Sequence, residues 1–142
     1  AAAVVFGSGC QVVAFGLDAT HQVRATEDRI VAIEAIDSEA ARAAASTLRF
    51  SQRVEREIVG WDAAPLHDPC PIAWLIQPDL FETKACRIEV ETGSDLTRGH
   101  TAVEFRIDPA TARHRWAVAA DAQGVFDLIV AKLKAQALEA AA

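Results

Sequence analysis

The chain opens on Ala1-Ala2-Ala3-Val4-Val5-Phe6, helical in pattern, and Gly7-Ser8-Gly9 then supplies the residues that end a helix. Glycine enters the left-handed conformation at little cost, which suits it to that place. Val12-Val13-Ala14-Phe15-Gly16-Leu17 follows as a continuous apolar run, the pattern of a strand covered on both faces in a parallel sheet. Asp18, Thr20 and His21 fall at its C-terminal end. A parallel strand needs a partner, and more chain or a second subunit is expected to provide one.

Helical periods come next. Thr26 stands where an N-cap is wanted, Glu27 and Asp28 suit the first turn, and Ile30, Ile33 and Ile36 recur at close to one turn. Ser38 is placed to cap a second, longer helix with Ala41, Ala45, Leu48, Val54 and Ile58 inward. Its arginines, Arg42, Arg49, Arg53 and Arg56, are expected in solvent, and Gly60 ends it. A loop from Trp61 to Asp68 feeds Pro69-Cys70-Pro71-Ile72-Ala73-Trp74-Leu75-Ile76, which reads as a helix buried on all sides with proline in its first turn.

Past Phe81 the period becomes two. Cys86, Ile88 and Val90 alternate with charged residues, then Thr101, Val103, Phe105 and Ile107 alternate with Ala102, Glu104 and Arg106, predicting two half-exposed strands. Trp116 to Ala119 predicts a third. Asp121 can cap a final helix with Val125, Leu128, Ile129 and Leu133 buried, and residues 138–142 form an uninformative tail.

Composition narrows the class. A chain of 142 residues, 51% hydrophobic and 24% charged, is a folding domain rather than a disordered one. Its apolar runs fall far short of the ~20 residues a membrane helix needs, so no membrane partner is expected. With 14 basic residues, scattered, against 20 acidic ones, nucleic acid is not an expected partner. Cys10, Cys70 and Cys86 are odd in number, widely spaced and set among apolar residues, which favours buried thiols in the cytoplasm. No methionine occurs, so a piece of a longer chain is expected.

His67-Asp68, in a loop at the head of an apolar helix, is the sharpest candidate for chemistry. Histidine exchanges a proton near neutral pH and a carboxylate can hold a metal ion. Asp68 reads equally well as a helix cap, although Pro71 has no N–H to give it and Cys70 is the one conventional donor left. Asp18, Thr20 and His21 lie where α/β proteins place ligand sites, or else hydrogen-bond nearby backbone. His100 and His114 are expected at the surface. No histidine or cysteine pair has zinc-ligand spacing.

Five segments occur in a telling order: the opening Ala1-Ala2-Ala3-Val4-Val5-Phe6, Gly16-Leu17-Asp18-Ala19-Thr20-His21, Asp62-Ala63-Ala64-Pro65-Leu66-His67-Asp68-Pro69, Pro78-Asp79-Leu80-Phe81, and Val90-Glu91-Thr92 with Leu96-Thr97-Arg98-Gly99. Together they resemble the C-terminal half of the inosine-uridine nucleoside hydrolase family. The resemblance implies an α/β fold, the C-terminal part of an open nucleoside-hydrolase-like sheet with flanking helices, residues 1–142 being one portion of one domain. It implies hydrolysis of a ribonucleoside N-glycosidic bond to ribose and free base, with bound calcium (Ca2+). By the same resemblance Asp68 is a calcium ligand and His67 the catalytic residue that protonates the leaving base.

The family's aspartate-rich N-terminal motif and its ribose-gripping segment have no counterpart in these 142 residues, so the chain alone is expected to be inactive. The stretch from Phe50 to Gly60, where relatives line the base pocket, offers Phe50, Ser51, Gln52, Arg53 and Arg56 and no tyrosine. A homo-oligomer acting on nucleosides is expected. The alternative is a non-catalytic α/β module for oligomerisation or ligand binding, its strand 12–17 pairing across a subunit interface.

Overall fold

The computed structural model describes residues 1–140. In chain order the elements are α1 (Ala2–Gly7), β1 (Val13–Phe15), α2 (Leu17–Thr20), β2 (Arg24–Ala25), α3 (Glu27–Glu34), α4 (Glu39–Ile58), β3 (Ala64–Pro65), α5 (Pro69–Ile76), a 3-10 turn (Pro78–Leu80), β4 (Phe81–Val90), β5 (Thr101–Glu104), β6 (His114–Ala120) and α6 (Ala122–Ala140). Local chemistry explains several boundaries. Ser38 accepts a hydrogen bond from the Ala41 N–H at 3.1 Å and so starts α4, and Gly60, at φ +77°, lets the chain leave it. Asp121 accepts from the Gly124 N–H at 3.0 Å at the head of α6.

A four-stranded sheet in the order β1-β6-β4-β5 and a two-strand ribbon of β2 with β3 make up the β structure. β4 pairs antiparallel with both β5 and β6. β1 runs parallel to β6, Val13 facing Arg115 and Phe15 facing Ala117. The expected external partner for the first strand is therefore corrected: this chain supplies it, about 100 residues downstream, beyond the reach of any local pattern. β1 is also shorter than expected and half-buried, because Gly16 turns the chain into α2.

The core gathers Ile30, Ile33 and Ile36 near α3, Ala41 and Ala45 of α4, Cys70 and Ala73 of α5, Leu80, Phe81, and Val125 and Phe126 of α6. Phe15 joins it edge-on to Phe81, ring centres 5.2 Å apart. Several expectations change here. Ile58 is exposed, since α4 runs on past the core, and α5 buries Cys70 and Ala73 while Ile72, Leu75 and Ile76 stand in solvent. β5 stops at Glu104, short of Ile107, and β4 begins at Phe81. Of the tail, Leu138 to Ala140 continue α6, and residues 141–142 lie outside the described residues.

Cys10 is exposed where burial was expected, because it follows α1 in a turn that no helix covers; Cys70 and Cys86 are buried. His114, expected at the surface, is buried: its Nε2 hydrogen-bonds to the Phe6 carbonyl at 3.1 Å and its ring meets Phe6 edge-on at 5.8 Å. That contact fastens α1 to the sheet over a separation of 108 residues. No described helix is long and apolar enough to cross a membrane.

Candidate active site

Gly16 begins the site by closeness. A side chain there would overlap the indole of Trp116, so the β1-to-α2 turn lies directly against β6. Trp116 in turn donates its Nε1–H to Asp18 Oδ2 at 3.0 Å. Gln22 completes the attachment: its Nε2 donates to Val118 O at 3.1 Å and its Oε1 accepts from the Ala120 N–H at 3.1 Å. The turn carrying Thr20 and His21 is thereby held to the central strand of the sheet.

The ribbon brings in the second half. Arg24 and Ala25 pair with Pro65 and Ala64, and the Leu66 N–H donates to Val23 O at 2.8 Å, placing the loop that ends in His67 beside α2. His67 Nδ1 and Thr20 Oγ1 are hydrogen-bonded at 2.9 Å. The His21 ring lies 5.6 Å from His67 and meets Trp61 edge-on at 5.2 Å, with the Arg24 guanidinium 4.1 Å over the Trp61 face. The two sequence candidates thus form one cluster.

Asp68 sits at the entry to α5 with helical rather than extended dihedrals, φ −63° and ψ −31°, and its side chain makes no capping bond. The Cys70 N–H, its conventional donor, goes to the His67 carbonyl at 3.1 Å instead. The capping role is therefore not realised, and an exposed carboxylate is left beside His67. Such a group suits a cation. A calcium ion takes ~6–8 oxygens, and among the described residues no three His, Cys, Asp or Glu side chains converge.

The Asp18 carboxylate accepts from the Trp116 indole, a side chain 98 residues away, rather than from the nearby backbone weighed for it. His100 is exposed and outside the cluster. Trp61, Arg24 and Gln22 were missed by sequence reasoning; nothing in their local pattern marks them. A groove of about 650 Å³ between α1, β4 and residues 107–114 contains none of the expected site residues.

Residues 1–127 match the family model described as inosine-uridine preferring nucleoside hydrolase. The chain belongs to that family. Among curated relatives, the pyrimidine-specific ribonucleoside hydrolase RihA of Shewanella baltica (strain OS155) is 40% identical over 136 residues, 94% of this chain and 43% of the relative. The same enzyme of Photobacterium profundum is 34% identical over 135 residues. A solved purine-preferring ribonucleoside hydrolase from Gardnerella vaginalis superposes with TM-score 0.82 at 23% identity, over 96% of this chain and 43% of that one. A plant nucleoside hydrolase gives 0.80 at 23% identity. The fold is thus the α/β arrangement of part of a nucleoside hydrolase, and the chain spans well under half the length of these proteins.

Proposed function

We propose that this chain carries the proton-donating part, and one metal ligand, of a ribonucleoside N-glycosidase site. The observation that carries the reading is His67, held by Thr20 beside an Asp68 carboxylate that α5 does not use as a cap, in a member of the nucleoside hydrolase family. In the reaction the bond between the anomeric carbon and the base nitrogen breaks, and its electron pair leaves with the base. His67 donates a proton to that base. Water adds to the anomeric carbon and loses a proton, giving ribose and free base. Neutralising a departing base anion is the kind of general-acid step that contributes about 10²–10⁴-fold. Asp68 would help hold calcium, which when bound lowers the pKa of a coordinated water and orients ribose hydroxyls.

On this reading the 142-residue chain is inactive by itself, since one carboxylate does not make a calcium site. The name of the Shewanella relative supports pyrimidine nucleosides as the substrates to assay first. A cytoplasmic homo-oligomer is part of the proposal, supported by three unpaired thiols and by the exposed apolar face of Ile72, Leu75 and Ile76. Light scattering measures the oligomer. In the alternative of a non-catalytic module, strand 12–17 no longer needs a partner from a second subunit, because β6 pairs with β1.

The test co-expresses the chain with the N-terminal half of a Shewanella-type relative and follows ribose release from uridine. His67→Ala is expected to lower the rate by about 10²-fold or more. Undiminished release by that variant would remove the acid role.

A further inference from the structure

Thr20 is 2% exposed and sits on a one-turn helix whose backbone is bonded on both sides, its N–H to Gly16 O and its carbonyl to the Val23 N–H, each at 3.1 Å. A buried hydroxyl needs a partner for its proton. Among the described residues the side-chain bond of Thr20 goes to His67 Nδ1. We infer that Thr20 is the positioning residue of His67: its hydroxyl donates to Nδ1 and thereby keeps the ring proton of the neutral imidazole on Nε2, the nitrogen left to face substrate.

The inference deepens the proposed acid role and its catalytic meaning rests on it. Three features argue that the contact orients rather than merely fills space. The hydrogen-bonding atom is a ring nitrogen, and whichever proton arrangement that bond selects sets the character of the other nitrogen. Thr20 itself has little freedom, because Gln22 and the Asp18–Trp116 bond tie its turn to β6 on either side of it. His21 stands against the His67 ring at 5.6 Å and is backed by Trp61 and Arg24, so the imidazole is confined from a second direction. Outer partners that orient a metal-bound histidine are worth about 10–100-fold when removed, and an effect on the same scale is expected here.

The experiment labels the full 142-residue chain with ¹⁵N and reads the His67 tautomer from long-range nitrogen–proton correlations. Expected is a single Nε2–H form in the unaltered chain, a mixture of both tautomers in Thr20→Val, and return of the single form in Thr20→Ser, which restores the hydroxyl. In the complemented enzyme Thr20→Val is expected to lower kcat about tenfold with KM unchanged, and Thr20→Ser to recover it. An Nδ1–H tautomer in the unaltered chain overturns the inference even if the valine variant does not fold. A valine variant that keeps the single Nε2–H form overturns it as well. Undiminished activity of His67→Ala would instead remove the catalytic meaning while leaving the tautomer result standing, so the two failures are distinguishable.

Discussion

Replacing Gly16 with alanine adds one methyl group at the point where the chain turns from β1 into α2. Backbone strain is not the issue, since φ is −82° there, an ordinary value for any residue. The obstacle is Trp116, whose indole occupies the space the new Cβ would take. That ring cannot simply swing away, because its Nε1–H is bonded to Asp18 and its backbone pairs with both β1 and β4. Overpacking of this kind costs about 1–3 kcal/mol. Losing the Trp116–Asp18 bond adds ~1 kcal/mol. The total is about 2–4 kcal/mol, and with a urea m-value of about 2 kcal/mol/M the midpoint should fall by about 1–2 M.

Urea titration followed by far-UV circular dichroism measures this shift. A double-mutant cycle tests its cause, since Gly16→Ala combined with Trp116→Ala should cost clearly less than the two single changes added together. The reasoning fails if Gly16→Ala alone costs under about 0.5 kcal/mol, the level of an ordinary surface change. It fails equally if the two substitutions are additive. Because the same turn carries Thr20, the variant is also expected to loosen the Thr20–His67 bond.

Two further outcomes follow from charge and burial. Arg49 bonds Glu34 and Glu27, holding both carboxyls below their usual range, so their folded-state pKa lies under the unfolded value; the stabilisation is present above about pH 4.5 and is lost as pH falls through the depressed values. Arg49→Met should therefore flatten the acid side of a stability-against-pH curve, and a curve of unchanged shape would contradict the pairing. Burial pushes the Cys70 thiol up to about 11 and also raises Cys86, whereas Cys10 is exposed. A maleimide at pH 7.5 is expected to modify Cys10 first, and Cys70 and Cys86 after unfolding, as mass spectrometry of the intact chain would read.

Much of the secondary structure was legible because its causes are local. The isoleucine spacing of α3, the Ser38 cap, the Asp121 start of α6 and the alternation in β4 and β5 each act over a few residues. Where the reading failed, the decisive contact was remote. Arg113 and Arg115 flank His114 and suit a surface position, yet Phe6 covers it from the other end of the chain. α5 looks buried from its composition, but how many sides of an apolar helix are covered depends on what packs against it.

The site divides in the same way. His67 and Asp68 stand out in the sequence by residue type and by their place before a proline-led helix, and Thr20 and His21 by their place after an apolar strand. Their union does not. It requires the β2–β3 ribbon to carry residue 67 to residue 20, 47 positions apart, and β6 to anchor the turn beneath them through Trp116 and Gln22. The sequence by itself determined the longer helices and most strands of the main sheet, the Ser38 and Asp121 caps and the resemblance to the family, because short-range periodicity and motif order suffice for those. The tertiary structure alone decided the parallel pairing of β1 with β6, the release of Asp68 from capping and the partner of His67. Each of these depends on which distant backbone and side-chain groups meet once the core is packed.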